Sequence, residues 1–183
     1  MSALLRFEGV TLRRGGRLLF EGLSFELAPG DRLQVTGPNG SGKSSLLRLA
    51  AGLLRAERGK VERAQIALAD DHVALDRELP LGRALRFWGG NDGEAMAALG
   101  LDDLAKVPVR LLSSGQLKRA TLARVAASDA RLWLLDEPLN ALDADGAERL
   151  GGLIDRHRTG GGAVVSASHH ALPGEWRRLE LGA

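Results

Sequence analysis

Gly37-Pro38-Asn39-Gly40-Ser41-Gly42-Lys43-Ser44 decides the fold. A glycine, four residues and then Gly-Lys-Ser is the pattern of a loop that cradles phosphate. The glycines let the chain turn with its N–H groups inward, and a helix opening at Lys43 adds the positive end of its dipole. The flanks agree. Arg32-Leu33-Gln34-Val35-Thr36 reads as a short strand running into Gly37, and Lys43 to Leu54 carries leucines at helical spacing. In that setting Lys43 reaches the β and γ phosphates as a compact charge, the Ser44 hydroxyl ligates Mg²⁺, and Ser45 donates to the α phosphate. Lysine occurs only at positions 43, 60, 106 and 118, so one kept inside a glycine-rich loop needs a reason.

A second cluster lies downstream. Arg131 to Leu135 is a continuous apolar run, as expected of a parallel strand buried on both faces, and it ends on Asp136-Glu137. Open α/β sheets bind ligands at the carboxyl ends of their strands. Asp136 is suited to hold Mg²⁺ through water, and Glu137 to polarise an attacking water for phosphoryl transfer. Acidic residues also end strands as helix caps, and it is the upstream loop that favours the catalytic reading.

Around these motifs, strands and helices alternate. Leu4 to Leu12 and Leu18 to Leu27 read as antiparallel strands joined at Gly15-Gly16. Ser114 to Ala127 and Ala144 to His157 are helical, and Ala163 to Ala167 is another buried strand, which together imply a parallel sheet with right-handed crossovers. The stretch from Asp70 to Val109, interrupted by Gly89-Gly90, Gly93 and Gly100, predicts only short helices and loops.

Composition narrows the function. The chain has 183 residues, 44% hydrophobic and 26% charged, enough for one compact domain and its core. No stretch approaches the roughly 20 apolar residues of a spanning helix. The start, Met1 to Arg6, is too short for a signal peptide, so a cytoplasmic chain is expected. Absence of cysteine removes disulfides, thiolate metal sites and thiol nucleophiles. The net charge of +2, dispersed and mostly carried by arginine, argues against a nucleic-acid binder.

Leu112-Ser113-Ser114-Gly115-Gln116 stands between the two nucleotide motifs, and Asn140-Ala141-Leu142-Asp143 and then Ser168-His169 follow. On these residues, in this order, the chain resembles the ABC ATPase family over essentially its whole length. The resemblance implies an α/β P-loop NTPase fold with a mostly parallel core sheet, an N-terminal antiparallel β subdomain and a reduced helical subdomain. It divides the single domain into a catalytic core of about 1–69 and 128–183 and a helical part of about 70–127. It implies ATP and Mg²⁺ as ligands, held by Gly37, Pro38, Asn39, Gly40, Ser41, Gly42, Lys43, Ser44 and Ser45, with Ser44 and Asp136 on the metal. Glu137, His169 and Lys43 take the catalytic roles.

The same resemblance implies a head-to-tail homodimer in which Ser113, Gly115 and Gln116 of one subunit face the γ-phosphate held by the other, with Asp143 in the loop between. It also implies integral membrane partners, and a place on the cytoplasmic face of the inner membrane. Within the family, Arg17 to Phe25, Leu85 to Trp88 and Leu132 to Pro138 are most like ATP-binding subunits of cytochrome c maturation, or haem-exporter, transporters. The alternatives are a nucleotide-switched dimerising module with little hydrolysis, or the ATPase of another small ABC transporter.

Three positions depart from the family pattern. No aromatic stands at Thr11-Leu12-Arg13-Arg14 to stack on adenine, and the guanidinium of Arg13 or Arg14 is the available substitute. The glutamine expected near Ala69-Asp70-Asp71-His72 is replaced, with Asp71 or His72 in its place and Gln65 inside the preceding strand. Ser114 occupies a position where glycine is commoner.

Overall fold

The computed structural model describes residues 3–72, 74–89 and 92–182; Met1, Ser2, Val73, Gly90, Asn91 and Ala183 lie outside the described residues. The chain opens with a hairpin of β1 (Leu5–Arg14) and β2 (Arg17–Leu27), closed by Gly15 and Gly16 at φ 56° and 78°. Positive φ at both central residues gives a turn whose twist matches the strands it joins, which is why two glycines stand there. Next come β3 (Arg32–Thr36), α1 (Lys43–Ala50), β4 (Arg58–Arg63) and β5 (Ile66–Ala69). The middle holds α2 (Leu81–Arg86), α3 (Asp92–Ala98) and α4 (Ser114–Ala126), with two 3-10 turns between α3 and α4. It ends with β6 (Leu132–Asp136), α5 (Ala144–Thr159), β7 (Ala163–Ala167) and β8 (Arg177–Glu180).

Two sheets result. One is antiparallel in the order β2-β1-β4; the other is parallel throughout, in the order β5-β6-β7-β3-β8. In the parallel sheet β7 lies between β6 and β3, so the carboxyl ends of all three are neighbours. The Gly37–Ser44 loop leaves β3, Asp136 ends β6, and Ser168-His169 leaves β7. Topology therefore gathers three separated motifs on one edge.

The buried apolar runs face two ways. Leu132 and Leu134 of β6 pack with α1 and the β1–β2 hairpin, while Trp133 and Leu135 pack with α4 and α5. Each central strand thus joins two cores, as the unbroken apolar sequence requires. The helices of residues 81–126 share the second of these cores through Leu81, Leu85, Leu99, Leu122 and Val125.

The structure differs from the sequence reading at several bounds. The first helix stops at Ala50 rather than Leu54, because Gly52 turns left-handed at φ 79° and the Leu53 and Leu54 amides both donate to the Arg48 carbonyl. Gln65 precedes β5 instead of lying inside it, and its carbonyl accepts from the Leu132 amide. Strands β4 and β8 carry mostly exposed charged residues and have no apolar alternation to announce them. They are outer strands, each paired on one side only and packed on the core through a single apolar residue, Val61 or Leu179.

One core contact makes stability depend on pH. The His157 ring stacks on Trp133 with centroids 3.7 Å apart and planes 11° off parallel. Burial holds its pKa below the usual 6.5, although hydrogen bonds to the Arg131 and Ala163 carbonyls oppose the shift. The unfolded chain then binds the proton more readily. The stability this group contributes is complete above about pH 6.5 and is lost as pH falls through its depressed folded value. Urea unfolding midpoints are expected to fall between pH 7 and 5, and His157→Phe, which keeps a ring on Trp133, is expected to flatten that fall.

Candidate nucleotide site

The loop between β3 and α1 is built for close approach of an anion. Gly37 has φ 138°, and a Cβ there would lie 2.3 Å from the Leu181 carbonyl oxygen, so only glycine fits. Gly42 is the N-cap of α1, and no side chain accepts from the first-turn N–H groups. Those donors point toward the loop's interior with the positive end of the helix dipole behind them. Lys43 is buried, and its ammonium donates to the carbonyls of Gly37 at 2.9 Å and Pro38 at 3.1 Å. The buried Ser41 hydroxyl has no partner in the protein. A ring of unclaimed donors around one ammonium is the chemistry a polyphosphate satisfies.

Across the cleft, the Ser44 hydroxyl hydrogen-bonds the Asp136 carboxylate. Burial pushes the Asp136 carboxyl up, Ser44 and Arg48 pull it down, and the charges of Asp71 and Glu137 push it further up. A hydroxyl and a carboxylate held together, with negative charge in excess, are oxygen donors of the kind Mg²⁺ takes. Glu137, the next residue, sits in the left-handed region at φ 43°. That conformation costs a non-glycine residue about 1–2 kcal/mol and persists only where neighbours over-determine it. The Glu137 amide donates to the Ala167 carbonyl at 2.8 Å, and the Glu137 carboxylate accepts from the His169 amide at 3.4 Å. The His169 Nε2 lies 3.6 Å from Glu137 Oε1.

Lys43, Ser44, Glu137 and His169 line one cleft of about 540 Å³. Asn39, Gly40, Gly42 and Ser45 of the loop, Asn140, His170, Arg14 and Leu19 complete its lining, and Asp136 lies outside it. Of the two arginines open to stacking, Arg14 faces the cleft, with Nη1 3.4 Å from Ser45 Oγ, whereas Arg13 is paired with Glu57 at 3.4 Å. His170 is exposed and borders the cleft, and its carbonyl accepts from the Gln34 side chain.

Other predicted residues lie elsewhere. Ser113 and Gln116 form a reciprocal capping box at the start of α4, with Ser113 Oγ accepting from the Gln116 amide and Gln116 Oε1 from the Ser113 amide. Gly115 packs so tightly on the Ala141 carbonyl that a Cβ would come within 2.9 Å of it. Asp143 caps α5, its carboxylate accepting from the Gly146 amide at 2.8 Å. None of these four lines the cleft of its own chain. The two replacements for the glutamine also part. His72 turns to Asp70, its Nδ1 3.2 Å from Asp70 Oδ2, and borders a different groove with Trp88 and Arg124. Asp71 faces Lys118 and is close enough to act on the Asp136 charge.

The family model described as "ABC transporter" matches residues 20–140. The chain belongs to the ABC transporter family. A cytochrome c biogenesis ATP-binding export protein, CcmA, of Sphingopyxis alaskensis is 53% identical over 180 residues, covering 94% of this chain and 93% of that protein. The protein of the same name from Novosphingobium aromaticivorans is 56% identical over 166 residues, covering 89% and 87%. A solved structure described as an ATP-binding subunit of an ABC transporter superimposes with a TM-score of 0.86 over 97% of this chain and 85% of its own, at 19% identity, a likeness of fold.

As an ABC ATP-binding subunit, the chain binds ATP and hydrolyses it to drive a membrane partner. Among the described residues no helix is long and apolar enough to cross a membrane. Leu19 and Asn140 border the cleft without having been given a role from sequence. An apolar residue in a hairpin carries no chemical signal, but Asn140 stands in the segment that resembles a family loop.

Proposed function

We propose that this chain powers the membrane complex of cytochrome c maturation, in haem handling, as a head-to-tail homodimer on the cytoplasmic face of the inner membrane. Identity above 50% across nearly the whole length of two proteins named for that process carries the assignment. Residues of about 1–69 and 128–183 form its catalytic core, and about 70–127 the helical part that bears the signature segment.

Roles follow from the cleft. Lys43, Gly37 to Gly42, Ser44 and Ser45 bind the triphosphate through an ammonium, backbone N–H groups and hydroxyls. Ser44 and Asp136 hold Mg²⁺, which when bound neutralises phosphate charge and orients the leaving group. Glu137 polarises the attacking water, and His169 fixes the Glu137 carboxylate and hydrogen-bonds the γ-phosphate. Ser113, Gly115 and Gln116 approach the partner subunit's nucleotide, consistent with their distance from the cleft of their own chain, and Asp143 stabilises the loop between the two sites.

Cells deleted for this gene are expected to lose haem-loaded cytochrome c, read by haem staining of membrane proteins. The wild-type gene restores it and Lys43→Ala does not. Unchanged cytochrome c in the deleted strain would transfer the chain to another small ABC transporter.

A further inference from the structure

Lys118 is one of four lysines in the chain and lies on α4, two residues past the signature segment. Its ammonium donates to the carbonyl oxygen of Asp136 at 3.3 Å. That carbonyl belongs to the peptide unit joining Asp136 to Glu137. The N–H of the same peptide donates to the Ala167 carbonyl at 2.8 Å. One peptide plane is therefore gripped from both sides, by α4 through Lys118 and by β7 through Ala167. The residue that follows the plane is Glu137, at φ 43°. A left-handed glutamate does not hold itself there; the plane before it must be prevented from rotating back.

We infer that Lys118 is a positioning residue for hydrolysis, clamping the Asp136–Glu137 peptide so that the strained Glu137 aims its carboxylate at the cleft. The inference rests on Glu137 as the water-polarising group. Lys118 is half-buried beside Asp70 and Asp71; burial pulls its pKa below the usual lysine value, and the carboxylates of Asp71, Asp136, Glu137 and Asp70 oppose that fall. A neutral donor could make one hydrogen bond to the carbonyl, but it would leave four carboxylates without their central cation. The clamp also starts from a helix whose N-terminal turn, at Gly115, packs on Ala141, so movement of the signature segment is transmitted to the water-polarising glutamate through one side chain.

The test compares Lys118→Met, Lys118→Ala and Lys118→Arg with wild type and with Glu137→Gln. Lys118→Met is expected to lower kcat on the order of 10- to 100-fold, the scale of a misplaced catalytic group, while KM for ATP stays within roughly 3-fold. Hydrogen exchange at the Glu137 amide, protected in the wild type by Ala167, is expected to quicken in the same variant without nucleotide present. Lys118→Arg, which keeps the charge and the donors, restores most of kcat. If Lys118→Met does not fold, Lys118→Ala, which also lacks a donor, carries the same two readouts. Wild-type kcat in the folded variant, or reduced kcat with unchanged exchange at Glu137, overturns the clamp. If Glu137→Gln itself turns over normally, the assignment of Glu137 fails instead.

Discussion

Glu137→Gln is expected to lower ATP turnover by about 10²- to 10⁴-fold, the range a positioned general base contributes, and to leave nucleotide binding intact. The substitution is a clean one. Glutamine keeps the length and shape of the side chain, and its carbonyl oxygen can still accept from the His169 amide as Glu137 Oε2 does. The backbone restraint is untouched, because the Glu137 amide bond to the Ala167 carbonyl and the Lys118 bond to the Asp136 carbonyl do not involve the side chain. Only the carboxylate charge goes. ATP held but not cleaved should then trap the two-subunit state, so light scattering with ATP present is expected to read twice the monomer mass. Phosphate release at the wild-type rate would remove Glu137 from its role. Slow release without a change in mass would keep that role and count against the head-to-tail dimer.

The phosphate loop was legible because its chemistry is local. A strand, a turn that only glycine fits and a helix start all lie within Arg32 to Ala50, and the same residues that fold the segment bind the ligand. The acidic pair was legible for a related reason: Leu132 to Leu135 are apolar on both faces, and the first charges after such a run fall at a strand's carboxyl end. The strands β4 and β8 were not legible. Arg58-Gly59-Lys60-Val61-Glu62-Arg63 has one apolar side chain, and its place in a sheet is set by β1, some fifty residues earlier in the chain.

Relations between distant residues were harder still to see. That Arg14 rather than Arg13 faces the cleft depends on hairpin register and on Glu57 taking Arg13. That Asp71 rather than His72 turns toward Asp136 depends on Asp70 holding the imidazole away. Lys118 was within reach of the reasoning that picked out Lys43, since both are rare lysines beside a motif. What sequence could not supply was the Asp136 carbonyl as its partner.

Lys43→Ala is expected to weaken ATP binding roughly 10- to 100-fold, as loss of one hydrogen bond to a charged group implies, and to leave AMP binding nearly unchanged. Lys43 is only 7% exposed, and its ammonium already donates to the Gly37 and Pro38 carbonyls, which fixes it over the loop with one proton left to offer. On the proposed assignment that proton serves the β and γ phosphates, so a nucleotide with one phosphate does not use it. Competition with a fluorescent ATP analogue measures both affinities. Lys43→Arg is not expected to rescue binding, because a planar guanidinium cannot replace a compact ammonium bonded to two carbonyls of a tight loop. Equal loss for ATP and AMP would mean that the loop itself had collapsed. Unchanged ATP affinity would mean that Lys43 only braces Gly37 and Pro38 and that backbone N–H groups alone hold the phosphates.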